Sequence, residues 1–402
     1  MIKEREVSIG WWCVGNPVGD PFGPGVMDGI STMEIADLIC EAKRDGFVDY
    51  VAAHDDDLVP WDPHNPHDDQ DPHSDAYKQL VAIKEKLNKE GVGFKMMGCN
   101  LHEYPLFRNG GIANPDPRVR LIATQKVMRC LRICSFMGGD YYTYWVARDG
   151  FESQFSVPWH KAYDYVKEGL NNVRRYTNDQ KLSLKGCSIE YKPNEPRGEM
   201  FLPTVGHGIA MISQLEDPDF YAVNPEVLQH DQMTSLTSVA AVAFAAAMKR
   251  LFFIHIGNQK PNQFDNDIPP MVGMDGIKEF ISIMYVLNKI DWKGYVELDN
   301  HMLRTDGAPG EENRLELRRK YIRLAVEGYR LAESKANQLL EDQEINKRQD
   351  ELWNSYQDIA DILASNDFKK IASTKIDPEV VAKDPIAIGE LDMTVNKRLL
   401  GF

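Results

Sequence analysis

At 402 residues the chain is too long for a simple small domain and suits one large α/β barrel with an appendage. Asp and Glu outnumber Lys and Arg by 61 to 46, a formal charge of −15. Such a surface repels phosphate backbones and anionic lipid, so nucleic acid and membranes are set aside as partners, whereas divalent cations and neutral polyols suit it.

The charged start, residues 1–7, leads straight into an apolar strand and leaves no room for a signal peptide. The longest apolar run, 239–248, falls well short of the ~20 residues that cross a bilayer. A cytoplasmic protein is the expectation. The six cysteines (13, 40, 99, 130, 134 and 187) form no Cys-x-x-Cys pair and read as buried free thiols.

Strands are expected over residues 7–12, 48–54, 93–100, 140–145, 187–192, 221–226, 251–256 and 295–300. Helical periodicity fills 33–44, 75–90, 117–136, 160–176, 205–215, 233–250 and 277–287 between them. This alternation predicts a closed parallel (β/α)₈ barrel over 1–312. No Gly-x-Gly-x-x-Gly follows the first strand, which argues against an open dinucleotide-binding sheet. From about 313 the pattern changes, and residues 316–351 are highly charged, helical in period and free of proline. A looser tail follows. Residues 313–402 are therefore assigned to a helical C-terminal arm for subunit contacts, whose apolar stripe is expected to wrap its own barrel or a neighbouring subunit. One segment is compositionally odd: residues 55–75 carry eight Asp with His64, His67 and His73, each after a proline. Because the residue before proline is pushed extended, this stretch reads as a mobile polar loop rather than a metal site.

Polar residues recur where strands should end, the face of a barrel that carries the active site. They include His54 and Asp57 after the second strand, Glu190 and Lys192 at the fifth, and Glu226 and His230 at the sixth. His255, Asp265 and Asp267 follow the seventh, and Asp299 and His301 the eighth. Gathering Glu190, Glu226, Asp265, Asp267 and Asp299 at one mouth is strongly repulsive without cations. Carboxylates suit Mg²⁺ or Mn²⁺, and imidazoles shift the preference toward Mn²⁺ or Co²⁺.

At these motifs the chain resembles the xylose isomerases. Residues 189–198 (Ile-Glu-Tyr-Lys-Pro-Asn-Glu-Pro-Arg-Gly) are similar to that family's signature. His54-Asp-Asp-Asp57-Leu, Leu202-Pro-Thr-Val-Gly-His207, Asn224-Pro-Glu226-Val and Phe264-Asp-Asn-Asp267 resemble further motifs, as do Trp145-x-x-Arg148 and Arg304-Thr305. The likeness runs from residue 10 to the closing Leu-Leu-Gly.

The resemblance implies a metal-dependent aldose–ketose isomerase acting by hydride shift, with two metal sites. Glu190, Glu226, Asp299 and the residue at 255 would hold the first. Glu226, His230, Asp265 and Asp267 would hold the second. His54, bonded to Asp57, would open the sugar ring, and Lys192 would bind the carbonyl oxygen. Trp12 and Trp145 would form apolar walls, and Phe22 would reach in from a neighbouring subunit. Tetramerisation is the family expectation, with a heteromeric complex as the open alternative.

Several positions depart from the family pattern. An aspartate is replaced by His255, and Glu226 and His230 are one residue further apart than in Glu-x-x-His. On a helix that insertion turns the imidazole roughly 100°, so either the backbone bulges to restore His230 or Gln229 faces a weakened second site. In the pocket, His102, Gly98, Thr143 and His301 stand for a Phe, a Thr, a Val and a Lys. They predict a more polar mouth, a void beside Gly98, and a substrate larger than or differently placed from a free pentose. The alternative reaction is proton transfer, an epimerisation or an elimination from a keto-sugar or C-glycoside. The His255 set resembles the one-metal arrangement of sugar 3-epimerases, whose carboxylates equivalent to Glu190 and Asp299 act as bases. His102 or His301 is a further candidate base. A non-enzymatic sugar-binding barrel is the third class.

Overall fold

The computed structural model of the protein describes residues 5–273 and 276–402; the charged residues 1–4 weighed above lie outside them. Its eight principal strands are β1 (Val7–Gly10), β2 (Tyr50–His54), β3 (Gly93–Gly98), β4 (Tyr141–Trp145), β5 (Gly186–Glu190), β6 (Tyr221–Val223, resuming at Glu226–Val227), β7 (Phe253–Ile256) and β8 (Tyr295–Leu298). All pair in parallel. Neighbours follow chain order from β1 to the first half of β6, β8 pairs with β1 and β7 with β8, and the second half of β6 pairs with β7. The sheet begins and ends on the same strand, which Asn224 and Pro225 interrupt, so it is a closed (β/α)₈ barrel.

Asn224 spans that break. Its backbone N–H donates to the Ile189 carbonyl of β5 (2.8 Å), and its side-chain oxygen accepts from the His255 N–H of β7 (3.1 Å). All eight expected strands are present, but the first stops at Gly10. Trp12 lies instead on a helical turn, Trp11–Gly15. Gly10 makes that possible, since a Cβ there would fall 2.4 Å from the Trp12 ring.

Inside the barrel, Ala52, Met96, Phe253 and Tyr295 form a core cluster of their own, with Trp12 and Tyr141 packed against it. Side chains alternate along a strand, so residues two positions further on, among them His54, Gly98, Thr143, His255 and Glu297, face the same interior nearer its C-terminal mouth. The main core lies between the sheet and the surrounding helices.

Those helices are α1 (Thr32–Arg44), α2 (Asp75–Lys89), α3 (Pro117–Met137), α4 (Trp159–Asp179), α5 (Val205–Ile212), α6 (Ser238–Ala247), α7 (Ile277–Lys289) and α8 (Asn313–Glu341). Their starts carry the expected signals. Ser31 and Glu34 form a reciprocal capping box on α1, and Asp116 caps α3 with Pro117 at its first position. Gly138, at φ 89°, ends α3 in the left-handed region.

The helix opening at Asn313, expected as part of the arm, packs against α7 and α1 and buries Ile322, Val326, Tyr329 and Ala336. It is the eighth helix of the ring, because its apolar stripe finds its partner on the barrel itself. Beyond it come α9 (Gln343–Trp353), α10 (Gln357–Ala364), α11 (Phe368–Ser373), α12 (Pro378–Val381) and α13 (Ile388–Leu399). The last of these is tied back by Arg398 to Asp342 (2.7 Å) and Glu344 (3.1 Å). Helices α10–α12 bury no residue and expose Leu363, Phe368, Val380 and Val381.

The acidic stretch 55–75 is not a free loop. Asp55, Asp68 and Asp69 are buried against three cations of α3. Lys126 meets Asp55 at 2.6 Å, Arg129 grips Asp68 at 2.7 and 3.0 Å, and Arg132 grips Asp69 at 2.6 and 2.8 Å. Composition alone hides this, since the counter-charges lie some 60 to 70 residues away in sequence. The six cysteines are unpaired, and all but Cys13 are buried. No helix among the described residues is long and apolar enough to cross a membrane.

Candidate active site

A cavity of about 160 Å³ opens at the C-terminal mouth of the barrel. Twelve of the expected site residues line it: Trp12, His54, His102, Thr143, Trp145, Glu190, Glu226, His230, His255, Asp265, Asp267 and Asp299. Gly98 and Met96 complete the wall, and Met96 is a lining residue that sequence reasoning did not single out.

Two groups of donor atoms lie close enough to share a cation. In the first, Glu190, Glu226, His255 and Asp299 each offer an atom within 4.8 Å of the others, and in the second so do Glu226, His230 and Asp265. Glu226 belongs to both. The imidazole Nδ1 of His255 stands 2.8 Å from Asp299 and 3.2 Å from Glu190, while its Nε2 is 2.8 Å from Glu297. Asn224 donates to Glu190 (2.8 Å) and the Trp12 indole N–H donates to Asp299 (2.6 Å), fixing two of the carboxylates.

The extra residue before His230 is absorbed by the backbone. Leu228 takes a left-handed conformation (φ 59°), its N–H donates to Ser238 (2.8 Å), and Gln229 turns away. The His230 Nε2 therefore reaches Glu226 at 2.8 Å and lies 3.5 Å from Asp265. Its Nδ1 is 3.1 Å from the Tyr191 carbonyl, which can only accept, so that nitrogen carries a proton. Gln229 instead donates to Asp267 (2.8 Å) and to the Asp299 carbonyl (2.6 Å). Asp267 lines the cavity but stands outside the second group.

Electrostatics follow from this crowding. Burial pushes Glu226 up to about 8 against the pull of His230. Burial and the negative charges of Asp265 and Glu226 hold Asp267 well above the carboxylate range. Asp265 goes the other way, because Lys192 and His230 outweigh its burial. Burial opposes the cationic form of His230, yet Glu226 and Asp265 raise it to about 10. Oxygen-rich sets with one imidazole each fit a hard or borderline divalent ion. The Asp265 Oδ1 and His255 Nδ1 atoms, buried without a hydrogen-bond partner of good geometry, fit that chemistry too.

His54 faces these groups across the cavity. It precedes a helical turn, Asp55–Leu58, whose third residue folds back: Asp57 accepts from the His54 backbone N–H (2.7 Å) and lies 3.3 Å from its Nδ1. Burial disfavours the imidazolium, but Asp57 more than compensates and raises the pKa of His54 above its ordinary value. Trp12 packs 4.6 Å from the His54 ring. His102 stands edge-on to Trp145, centroids 4.7 Å apart. Burial, then the nearby charges of His54 and Arg148, lower His102 to about 3, so it is neutral and a weak base. The His102 Nδ1 and Thr143 Oγ1 atoms are buried with no hydrogen-bond partner in the described structure.

Four expected residues stand off the cavity lining: Asp57, behind His54, and three more. Lys192 is buried behind the wall, bonded to Asp265 at 2.5 Å, with its nitrogen 5.6 Å from the Trp145 ring. His301 turns to the Met302 carbonyl (3.1 Å) and lines a different, smaller cavity. Phe22 is 84% exposed, its ring 5.9 Å from Phe264 of its own chain. The void expected beside Gly98 is taken up by His54, whose Cδ2 would lie 3.1 Å from a Cβ at that position.

No sequence-family profile matches the chain. A xylose isomerase of Thermus thermophilus is 32% identical over 308 residues, 76% of this chain and 75% of that protein. The chain belongs to the xylose isomerase family. Its barrel is also similar to the solved structures of an L-ribulose 3-epimerase (TM-score 0.56, 14% identity, covering 85% of this chain and 99% of that one) and of the IOLI protein with a bound zinc atom (TM-score 0.56, 12% identity, 82% and 99%). At those identities the likeness is one of fold. Within the xylose isomerase family this is a divergent member.

Proposed function

We propose that the protein is a divalent-cation-dependent aldose–ketose isomerase acting on a sugar larger than, or placed differently from, a free pentose. One observation carries this reading: the His54–Asp57 pair and the Trp12 and Trp145 rings face two carboxylate–imidazole groups across a single cavity. Glu190, Glu226, His255 and Asp299 would hold one ion, and Glu226, His230 and Asp265 a second, with Asp267 reserved to Gln229. Mn²⁺ or Mg²⁺ is the expected ion, with Co²⁺ as a substitute. A bound divalent ion supplies Lewis-acid polarisation of sugar oxygens.

The chain's own residues do the rest. His54, held in orientation by Asp57, moves a proton between the ring oxygen and the C1 hydroxyl as the sugar opens. Lys192 stabilises the open-chain carbonyl oxygen once the sugar draws it from Asp265. Trp12 and Trp145 exclude water around C1 and C2, which suits a hydrogen transfer that needs no solvent proton. Neutral His102, beside Trp145, and the Thr143 hydroxyl bind a sugar hydroxyl.

The replacement of a carboxylate by His255 favours a second reading, proton abstraction by Glu190 or Asp299 in an epimerase or keto-sugar lyase. His102, held neutral and weakly basic, is a poor base for that chemistry. The exposed α10–α12 segment supports a homo-oligomer, a tetramer by family precedent, with subunit contacts carried by the chain beyond α8.

Turnover in heavy water separates the two reactions. The Mn²⁺-loaded protein is expected to interconvert an aldose and its ketose without placing deuterium on C1 or C2. Solvent deuterium at the reacting carbon would overturn the isomerase reading in favour of proton transfer. Turnover of D-xylose as fast as in ordinary family members would sink the claim of a different substrate, and failure to bind Mn²⁺ at micromolar levels would sink both reactions.

A further inference from the structure

Glu297 is among the most deeply buried acids of the protein, with no exposed surface, and the mechanism above gives it no task. Among the described residues its one ion-pair contact is the His255 Nε2 at 2.8 Å. Among those residues no lysine or arginine pairs with it, and neither of its oxygens has a hydrogen-bond partner of good geometry, which leaves the close approach of the imidazole as its one charged neighbour. An ionisable group so placed is costly to bury and needs a compensating role.

The strand register builds the pair. His255 on β7 lies directly beside Glu297 on β8, both facing the barrel interior. Two residues further along, just past the end of β8, comes Asp299, which meets the other ring nitrogen, Nδ1, at 2.8 Å. One strand thus brackets the imidazole, with Glu297 behind it and Asp299 in front. A carboxylate accepts and does not donate when ionised, so at 2.8 Å Glu297 is placed to take a proton from Nε2, which would leave the Nδ1 lone pair directed at Glu190, Glu226 and Asp299.

We propose that Glu297 is a positioning residue that fixes His255 in the Nε2–H tautomer, makes Nδ1 the donor atom of the first group, and tilts that group toward nitrogen-preferring ions over Mg²⁺. This deepens the proposed function and depends on its reading of the first group as a cation site. A carboxylate bonded to the far nitrogen fixes the ring and raises its strength as a donor, and losing such a partner typically lowers metal affinity by roughly 10–100-fold. Imidazole donors favour Mn²⁺, Co²⁺ and Zn²⁺, whereas Mg²⁺ keeps to oxygen.

The test measures Mn²⁺ and Mg²⁺ affinity of the full chain in a His230→Ala background, which isolates the first group. Glu297→Gln is expected to weaken Mn²⁺ by roughly 10–100-fold and Mg²⁺ much less. With His255→Asp also present, Glu297→Gln is expected to change neither affinity further. Equal affinities for Glu297→Gln and its parent, or an equal loss with and without His255, would overturn the inference. If the parent itself binds no Mn²⁺, it is the cation-site reading that fails. Should Glu297→Gln not fold, the unsubstituted chain loaded with ¹¹³Cd²⁺ and labelled with ¹⁵N-histidine decides the matter. Coupling of cadmium to Nδ1 with a protonated Nε2 supports the role, and coupling to Nε2 overturns it.

Discussion

Replacing Arg129 with methionine tests whether the buried ion pairs, rather than the loop's own conformation, hold residues 55–75 in place. Arg129 is fully buried and makes a two-bonded contact to Asp68 at 2.7 and 3.0 Å. It also bonds the Pro60 carbonyl at 3.2 Å and lies 3.7 Å from Asp55. Methionine retains much of the side-chain volume and leaves Asp68, only 6% exposed, without its cation. Removing one partner of a buried pair costs about 3–5 kcal/mol. Unfolding entropies near 2.1 cal/mol/K per residue give roughly 0.8 kcal/mol/K for this length. The melting temperature should therefore fall by about 4–6 °C, read by calorimetry on metal-free protein, with the drop insensitive to salt because the pair is screened from water. Arg129→Met with Asp68→Asn removes both charges, so it should lose less than the sum of the two single variants. A single variant melting within about 1 °C of the parent would refute the reasoning and return the segment to the loose loop its composition suggests.

Three further outcomes are expected. Because Glu226 belongs to both donor groups, Glu226→Gln should abolish all tight Mn²⁺ binding, whereas His230→Ala should remove only the second ion and His255→Ala only the first, as counted by EPR titration. The His54–Asp57 contact raises the His54 pKa above 6.5. Its contribution to stability is therefore full below about 6.5 and is lost as pH rises through the folded value. Asp57→Asn should flatten that part of the melting-temperature profile against pH, and an unchanged profile would assign it to other groups. Leu363→Asp with Phe368→Asp, both on surface-exposed helices, should shift sedimentation toward smaller species without lowering the melting temperature of the barrel; unaltered sedimentation would remove these helices from the subunit interface.

The barrel was legible because alternating periodicity needs no knowledge of contacts: each strand carries its apolar run and each helix its stripe. The gathered carboxylates were legible for the same reason, since strand ends in a barrel converge by construction. Three features were not. The extra residue before His230 could be counted, but whether it would turn the imidazole or be absorbed depended on Leu228 accepting a left-handed conformation, which leucine does not advertise. The pinning of Asp68 and Asp69 depends on arginines of α3 that appear from sequence as ordinary surface charges of a long helix. Glu297 draws no role from the sequence. The available signal was its period-two spacing from Asp299, just past the end of β8, which sets one carboxylate against each side of His255. His301 shows the opposite error, since a residue two positions beyond Asp299 has already left the strand and turned toward Met302.

The interrupted sixth strand makes the cylinder's final join unlike the others. Elsewhere adjoining strands are uninterrupted, but between β5 and β7 the seam crosses Asn224 and Pro225, where the Asn224 side chain joins the Pro225 carbonyl in accepting from the His255 N–H. The same asparagine orients Glu190, and the strand resumes at Glu226, so the stitch that closes the barrel and the groups that would grip a cation are one set of residues. Amide hydrogens along 223–227 and 253–256 should thus exchange together and slow together when the cation groups are loaded. In this protein the clasp of the scaffold and the floor of the candidate site are the same object.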